Sequence, residues 1–409
     1  MVDNYPLVGI KIHIAGGIPA SFMKKSMKYY FIGLLSVVLL CSACRKNKKE
    51  ATAFNTVSVE NQMERIVNDL KVPGMAVALV GTDGILWSKT NGMADMEKKE
   101  PVTEKTVFKL GSIAKTIVGL SVLKLQEEGK LNLDANINDY LPFKVVNPNN
   151  PGKKITLKHL LTHTSGIRDT IYERDLLTEG FLTMDQDNPM ALKEYVKNML
   201  TPEGQFYNPV TFMDDSKGAI YSYSNIGAAL AACIVEQVSG ESFDTYSTSA
   251  FFTPLSTHTL VWHLRDFSSQ PFAMPYYYTT TLMPTGKYSM VDYCSGGLHS
   301  NLTDLAAFAR MLINNGMASG KQLISPQSLD LMKKVPFPDV APTQGLFMQH
   351  YKLGTSDIFG HSGDLPGGSS LLYFCPDTKR AVVIILNRKI EEEDIHVAVN
   401  QLLGDVFKL

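Results

Sequence analysis

The sequence predicts an α+β fold, an α/β sandwich in which an antiparallel sheet is flanked by helices and a mainly helical region is inserted. Both ends of the chain carry short runs of strand character, bounded by turn residues such as Thr82-Asp83-Gly84 and Pro376-Asp377. Between them, residues 131–290 read mostly as helix and loop. The strands of the two ends can therefore pair into one sheet around the inserted region. The predicted strands are residues 75–80, 85–88, 351–354, 369–374 and 381–386.

The predicted helices follow from apolar residues at helical spacing. A long apolar helix is expected to begin at Ser112, directly after a short strand over residues 107–110, and to stop at Gly129. Glycine readily adopts the left-handed conformation that ends a helix. The Pro- and Tyr-rich residues 271–288 read as a long loop, of the kind that often borders a site. Other helices are predicted over residues 57–70, 228–238 and 395–407.

The N-terminus has the features of a secretory signal peptide over residues 1–44. Lysines at positions 24, 25 and 28 precede the apolar run 31–40, which small residues and Cys44 follow. The run is too short to predict a membrane-spanning helix. Its ending resembles the processing site of bacterial lipoproteins, so Cys44 is the predicted lipidation site and residues 45–56 a tether. We therefore expect an exported protein, a periplasmic or cell-surface lipoprotein that a lipid anchor attaches to a bacterial membrane.

Two details of this segment stay open. Cys41 stands where lipoprotein sites usually have an aliphatic residue, and its Cys-x-x-Cys spacing with Cys44 also permits a redox interpretation, although no βαβ pattern surrounds it. The residues before Met23 do not resemble the start of a signal peptide. Translation from Met23 or Met27 is therefore a hypothesis, which N-terminal sequencing of the unprocessed protein would test.

The composition is that of an ordinary globular protein and excludes several classes of function. Of 409 residues, 19% are charged and 44% hydrophobic, with a formal net charge of −1 and no basic stripe, so no nucleic-acid partner is expected. Beyond the signal only Cys233, Cys294 and Cys375 remain, which predicts buried thiols rather than a disulfide framework. Metal-ligand spacings are absent from the sequence, which predicts neither a cofactor nor a catalytic metal.

A serine and a lysine at the predicted start of the long helix form the first candidate cluster. Ser112 and Lys115 are three residues apart, so they share one helix face in its first turn. Apolar neighbours would desolvate Lys115 and lower its pKa toward that of a base, and a serine needs such a base to attack a carbonyl. Taken alone, the same pair is more typical of a helix N-cap and a solvated surface lysine.

Two further clusters carry polar groups beside predicted elements. Tyr221-Ser222-Tyr223-Ser224-Asn225 precedes an apolar helix, where a phenol could move protons and an amide could contact a substrate. Gly360-His361-Ser362-Gly363-Asp364 is placed between strand candidates, where glycine allows close approach and a backbone N–H can stabilise an oxyanion. By themselves, these clusters are also compatible with an ordinary helix entry and a tight connection between strands.

The order and spacing of the three clusters resemble the serine β-lactamase and penicillin-binding superfamily, closest to its class C β-lactamase, DD-carboxypeptidase and esterase branch. The resemblance covers roughly residues 57–409 and implies a β-lactamase/transpeptidase-like fold, with the sheet from residues 57–130 and 291–409 and the helical insertion at about 131–290. Supporting segments are Val72-Pro73-Gly74, Leu157-Lys158-His159-Leu160-Leu161-Thr162-His163-Thr164-Ser165-Gly166, Ser295-Gly296-Gly297-Leu298 and Asp304-Leu305.

The resemblance also implies a role for each site residue. It makes Ser112 the acylated nucleophile, Lys115 its general base, Tyr223 a proton shuttle and Asn225 a substrate contact. Residues His361, Ser362 and Gly363 match the third motif, usually Lys-Thr-Gly, on the strand that edges the cleft. The backbone N–H groups of Ser112 and Asp364 would form the oxyanion hole. A Ser-His-Asp arrangement through His163 is the less favoured alternative, because the chain has no Gly-x-Ser-x-Gly elbow; a loop-ordering role is expected instead.

His361 departs from the family pattern, because an unperturbed histidine is mostly neutral at pH 7 whereas lysine is cationic. This weakens a site for a substrate carboxylate and makes strong β-lactamase activity less expected. The resulting prediction is a serine hydrolase of the DD-carboxypeptidase or esterase type, acting on a small-molecule or peptide substrate that could derive from peptidoglycan. The alternatives are a penicillin-binding or sensor module that acylates without efficient turnover, and a purely structural envelope lipoprotein.

Overall fold

The structure is a computed structural model, and it describes residues 54–170, 180–267 and 270–409. The predicted signal peptide, its Cys44 and the tether up to residue 53 lie outside the described residues. All described residues belong to one compact unit. Within these ranges, no helix has the length and apolar character that crossing a bilayer requires.

A seven-stranded antiparallel sheet forms the centre of the fold. Its strand order is β12-β13-β14-β15-β1-β2-β3, so the four strands from the C-terminal end form one side of the sheet, the three from the N-terminal end form the other, and every neighbouring pair is antiparallel. The ends meet where β1 pairs with β15, with Met75 opposite Leu386. The predicted α+β class and its sheet are thereby confirmed. The strands of this sheet are β1 (Gly74–Gly81), β2 (Gly84–Asp95), β3 (Glu100–Pro101), β12 (Gln349–Leu353), β13 (Ser356–Leu365), β14 (Gly368–Cys375) and β15 (Arg380–Leu386).

The sheet is covered on both faces, which gives a three-layer arrangement. Along β1 every residue is buried, and successive side chains enter different cores, because side chains alternate between the faces of a strand. Ala76 and Ala78 join the larger, helical core, whereas Met75 and Val77 join a smaller core beneath the two terminal helices. A strand that is buried on both faces has no need of polar residues on either side.

Eleven α-helices are described, and most of them lie in the larger core or in the inserted region. They are α1 (Val57–Asn68), α2 (Ala114–Glu127), α3 (Leu157–Leu161), α4 (Leu192–Leu200), α5 (Asn225–Ser239), α6 (Phe243–Ser247), α7 (Thr253–Leu255), α8 (Tyr293–Gly296), α9 (Leu302–Ile313), α10 (Pro326–Lys333) and α11 (Glu393–Lys408). The terminal helices α1 and α11 pack on the face opposite to α2 and α9.

The positions of the strands correct two expectations. Residues 271–288 are not a plain loop, because they contain a small hairpin and lead into a further strand. The polar cluster around His361 does not connect two strands; it lies within β13. The short strands are β4 (Phe108–Lys109), β5 (Leu182–Met184), β6 (Tyr276–Tyr278), β7 (Leu282–Pro284), β8 (Tyr288–Met290), β9 (His299–Ser300), β10 (Met317–Ala318) and β11 (Lys321–Gln322).

Candidate active site

Ser112 lies in a tight turn between strand β4 and helix α2. The sequence predicted that the α-helix begins at Ser112; instead a 3₁₀ turn, Gly111–Ile113, comes first, and the α-helix begins at Ala114. Gly111 has a φ of +56°, a conformation that glycine adopts without steric cost. A side chain there would also meet the backbone nitrogen of Asp364, at 3.0 Å from its Cβ. The turn that carries Ser112 therefore packs closely against strand β13.

Lys115 is completely buried and is held by three acceptors. Its Nζ lies 3.1 Å from the Ser112 hydroxyl, 2.6 Å from Asn225 Oδ1 and 2.6 Å from the Ser295 carbonyl oxygen. Burial lowers the pKa of Lys115 to about 8, and it outweighs the opposing attraction of two buried carboxylates, Asp292 and Asp169. The first residue pair of the sequence prediction is thus a serine beside an amine that readily loses its proton.

The phenol of Tyr223 also contacts the Ser112 hydroxyl. Tyr223 hydrogen-bonds to Ser112, and its ring centroid lies 4.9 Å from Lys115 Nζ. Burial raises the pKa of Tyr223 well above its usual value, and this outweighs the lowering effect of the hydrogen bond to Ser112. The predicted proton shuttle therefore keeps its proton in the resting site.

His163 orders the loop that carries Tyr223. The N–H of Ser224 donates to its Nδ1 at 3.1 Å, the N–H of Ser222 donates to its carbonyl oxygen at 2.8 Å, and its ring lies 4.3 Å from that of Tyr223. Burial, with a smaller contribution from Lys115, lowers the pKa of His163 well below its usual value. A neutral imidazole that accepts a backbone N–H fits the predicted loop-ordering role better than that of a catalytic base.

Asp169 is a site residue that the sequence reasoning missed. Its carboxylate accepts the hydroxyl of Ser224 at 2.9 Å and the N–H groups of Asn225 and Ile226 at 2.6 and 3.2 Å, at the start of α5. The helix dipole favours a negative charge there. Nevertheless, burial raises the pKa of Asp169 to about 6. Its partners lie more than fifty residues away in sequence, so no local pattern could reveal it.

The third cluster supplies two backbone N–H groups beside Ser112. A Cβ on Gly363 would lie 2.0 Å from the Leu110 carbonyl oxygen and 2.9 Å from the Ser112 nitrogen, so β13 and the Ser112 turn can approach this closely only through glycine. The Asp364 nitrogen lies at the same junction, against Gly111. The backbone nitrogens of Ser112 and Asp364 therefore lie at one junction, where the Ser112 turn packs against β13.

His361 carries no positive charge. The ring is buried, with 1% of the residue exposed, and its Nδ1 lies 2.5 Å from the Ser362 carbonyl oxygen, which can only accept a hydrogen bond. Burial, with a smaller contribution from Lys115, lowers its pKa to about 3. Its ring centroid is 6.4 Å from that of Tyr223. In the described part of the chain, its Nε2 has no hydrogen-bond partner and is therefore left as an acceptor.

Lys109 is a second buried lysine that the sequence reasoning missed, and it links two segments that border the site. Lys109 on β4 donates to the Tyr288 carbonyl oxygen at 2.8 Å and lies 3.9 Å from the centroid of that ring. The Tyr288 hydroxyl in turn donates to the Pro366 carbonyl oxygen at 2.8 Å. The strand that leads to Ser112 is thus tied to the turn that follows Asp364.

The structure brings the eight residues predicted for catalysis, substrate binding and the oxyanion hole into one cluster. Around the Ser112 hydroxyl and amide lie the side chains of Lys115, Tyr223 and Asn225, with strand β13 alongside. A nucleophile with an amine, a phenol and two amide donors is the set that acyl transfer needs.

The three cysteines of the described residues lie outside this set. Cys233, Cys294 and Cys375 are buried free thiols, as predicted.

Comparisons with known proteins identify the family of this chain. The family model described as Beta-lactamase matches residues 59–404. Penicillin-binding protein 4* of Bacillus subtilis (strain 168) is 25% identical over 370 residues, which cover 85% of this chain and 73% of that protein. Protein flp of Staphylococcus aureus (strain MW2) is 24% identical over 339 residues, 81% of this chain. The match spans 64% of the length of Protein flp, slightly less than two thirds.

Solved structures show the same fold. A penicillin-binding protein homologue from Pyrococcus abyssi, described as octameric, has a TM-score of 0.65 at 23% identity and covers 85% of this chain and 77% of its own. A class C beta lactamase from Rhodobacter sphaeroides has a TM-score of 0.63 at 20% identity, over 86% of this chain and 99% of its own. With the family model spanning most of the sequence, this chain belongs to the Beta-lactamase family, whose members are serine hydrolases.

Proposed function

We propose that this protein hydrolyses an ester or amide carbonyl through an acyl-enzyme on Ser112, as a D-Ala-D-Ala carboxypeptidase-like enzyme or an esterase. One observation carries the proposal: the Ser112 hydroxyl contacts both the buried amine of Lys115 and the phenol of Tyr223. A serine between a base and a proton donor, with two amides at hand for the oxyanion, has every group that the reaction uses.

In the proposed mechanism, unprotonated Lys115 accepts the Ser112 proton as the oxygen attacks the carbonyl carbon. The amides of Ser112 and Asp364 stabilise the negative charge on the carbonyl oxygen; such donors are worth about 3–4 kcal/mol each. Tyr223 gives its proton to the leaving group and is reprotonated from Lys115. Water then attacks the acyl-enzyme, the same groups move its proton, and the acid is released.

The nucleophile is tested by covalent labelling. A fluorophosphonate probe and a fluorescent penicillin are expected to label the wild type, and Ser112→Ala should abolish both labels. Ser216→Ala, at an exposed serine whose hydroxyl donates to Asp214, is the matched control and should label like the wild type. Unchanged labelling of Ser112→Ala would refute Ser112 as the nucleophile.

Turnover separates an enzyme from a sensor module that only acylates. Pre-steady-state kinetics with a p-nitrophenyl ester should show repeated turnover, whereas a single stoichiometric burst would support the sensor. Lys115→Ala should lose nearly all turnover while the fold is kept; wild-type rates in that variant would rule out its proton role. A panel of a p-nitrophenyl ester, a D-Ala-D-Ala peptide and nitrocefin would rank the substrate classes.

We also propose that the protein is exported and anchored through a lipid on Cys44. The sequence pattern of residues 24–44 supports this location. In the cell envelope, stem peptides of peptidoglycan and other ester or amide compounds would be within reach. Two structural neighbours are described as a D-stereospecific amidohydrolase from Streptomyces and a D-amino acid amidase from Ochrobactrum anthropi, and for this reason D-amino-acid amides belong in the substrate panel.

A further inference from the structure

Gln349 lies at the outer edge of strand β13, next to the site but outside the sequence motifs. Strand β12 pairs with β13 only as far as Gln349 opposite Gly360. Further along β13, the N–H of Ser362 points to the same edge and donates to Gln349 Oε1 at 3.2 Å. Beyond the last backbone pair of β12 and β13, the side chain of Gln349 therefore accepts the hydrogen bond that a further residue of β12 would otherwise accept.

The amide oxygen of Gln349, and not its nitrogen, faces the site. The N–H of Ser362 can only donate, so its partner must be an oxygen. The hydroxyl of Ser362 lies 3.5 Å from the same oxygen, and the buried hydroxyl of Tyr373 donates to it as well. Gln349 thus occupies the N–H of Ser362, the hydroxyl residue of the third motif, and the Ser362 hydroxyl also hydrogen-bonds to Tyr373.

This contact lies on the leaving-group side of the proposed reaction. Backbone N–H groups two residues apart point to the same edge of a strand, about 7 Å apart. The N–H groups of Ser362 and Asp364 therefore share one edge, and the second is the proposed oxyanion donor. The ring of His361, the residue directly before Ser362, lies 6.4 Å from the ring of Tyr223, which protonates the leaving group in the proposed mechanism.

The groups on this side offer neither a positive charge nor the N–H of Ser362. His361 is buried and neutral, and Gln349 Oε1 already accepts the N–H of Ser362 and the hydroxyl of Tyr373. The amine of Lys115 is already held by Ser112, Asn225 and Ser295. A carboxylate on the leaving group would lose its hydration there and would have to displace Gln349 Oε1 to reach the N–H of Ser362.

We propose that Gln349 determines leaving-group specificity, so that the enzyme favours esters and amides with an uncharged leaving group over those whose leaving group carries a carboxylate. The inference rests on the proposed function and narrows it. It places a simple ester or an amide with a blocked carboxyl terminus ahead of a peptide that ends in a free carboxylate.

The test compares two esters that differ by one carboxylate, phenyl acetate and 3-carboxyphenyl acetate. For each enzyme variant and each ester, kcat/KM is divided by the rate constant for hydroxide-catalysed hydrolysis of that ester. The value for the carboxylated ester is then divided by the value for the neutral ester, and this quotient is the ratio that is compared. The wild-type ratio should be well below one. Gln349→Lys should raise it about tenfold, since it adds a cation a few ångströms from the carboxylate. Gln349→Met, which only removes the acceptor, should raise it less, and the near-isosteric Gln349→Glu should lower it.

The ratio is insensitive to the fraction of folded enzyme, because both esters are measured on one preparation. A ratio that stays within twofold of wild type in the Lys and Glu variants would overturn the role of Gln349, as would a wild-type ratio of one or more. If one of these variants fails to fold by circular dichroism, the other and Gln349→Met decide. Failure of the proposed function is recognised separately, by phenyl acetate hydrolysis that survives Ser112→Ala.

Discussion

Replacing Gly363 with alanine tests whether strand β13 and the Ser112 turn act as one oxyanion-binding unit. The added Cβ would lie 2.0 Å from the Leu110 carbonyl oxygen, where real Cβ atoms keep at least 3.0 Å, so the strand or the turn must move by about 1.0 Å, the difference between the two distances. The Leu110 oxygen accepts the Ser370 hydroxyl at 2.6 Å, which ties it to β14 and limits its movement.

The movement separates the two backbone donors from the reacting carbonyl. A displacement of about 1 Å at a catalytic group can cost about 100-fold in rate, and losing one oxyanion donor about 100- to 1,000-fold. We therefore expect kcat for p-nitrophenyl acetate to fall at least about 100-fold in Gly363→Ala. Overpacking should lower the free energy of unfolding by about 1–3 kcal/mol, measured by urea denaturation.

Gly368→Ala is the matched control on the neighbouring strand. Its Cβ would meet its nearest atoms at 3.5 and 3.6 Å, which is ordinary van der Waals contact. This variant should keep the wild-type rate within about threefold, at a temperature well below both melting transitions. A Gly363→Ala enzyme that is folded and as fast as the Gly368→Ala control would refute the oxyanion arrangement.

Four further outcomes are expected. Because Lys115 has a pKa of about 8 and must be unprotonated to act as the base, kcat/KM should rise with pH and level off above about pH 8; a flat profile from acid to neutral pH would contradict this. The Asp169 carboxylate stabilises the ammonium form of Lys115, so Asp169→Asn should shift that midpoint to lower pH, and a shift upward would count against the assignment. Tyr288→Phe removes the hydrogen bond to Pro366 and should lower the free energy of unfolding by about 1 kcal/mol in urea, with an unchanged midpoint as the opposing result. Cys44→Ala should abolish incorporation of a fatty-acid label and release the protein from membranes; labelling that persists would place the anchor elsewhere.

The main sheet could be predicted because its strands carry their own signal. The runs at 75–80 and 381–386 are apolar on both faces, and in the structure they are neighbouring central strands. The strand that carries His361 was not recognised from its residues, because glycines and polar side chains break the strand pattern over residues 360–364. Pairing with β14 imposes the extended conformation there, and such pairing cannot be seen locally.

The site could be predicted only where its residues come in short motifs. Ser112 with Lys115, and Tyr223 with Asn225, are close in sequence, so their spacing could be compared with that of a known family. Asp169 was missed because its hydrogen-bond partners come from a distant helix start.

Apolar periodicity and motif spacing are local properties of the chain, and for this reason the class of fold and the short motifs of the site could be identified from the sequence. The protonation states depend on the folded structure. Burial by segments far apart in sequence makes the Lys115 amine readily deprotonated, keeps the proton on Tyr223 and leaves His361 neutral. A pKa depends on everything that replaces water around a group, and that environment exists only once the chain has folded.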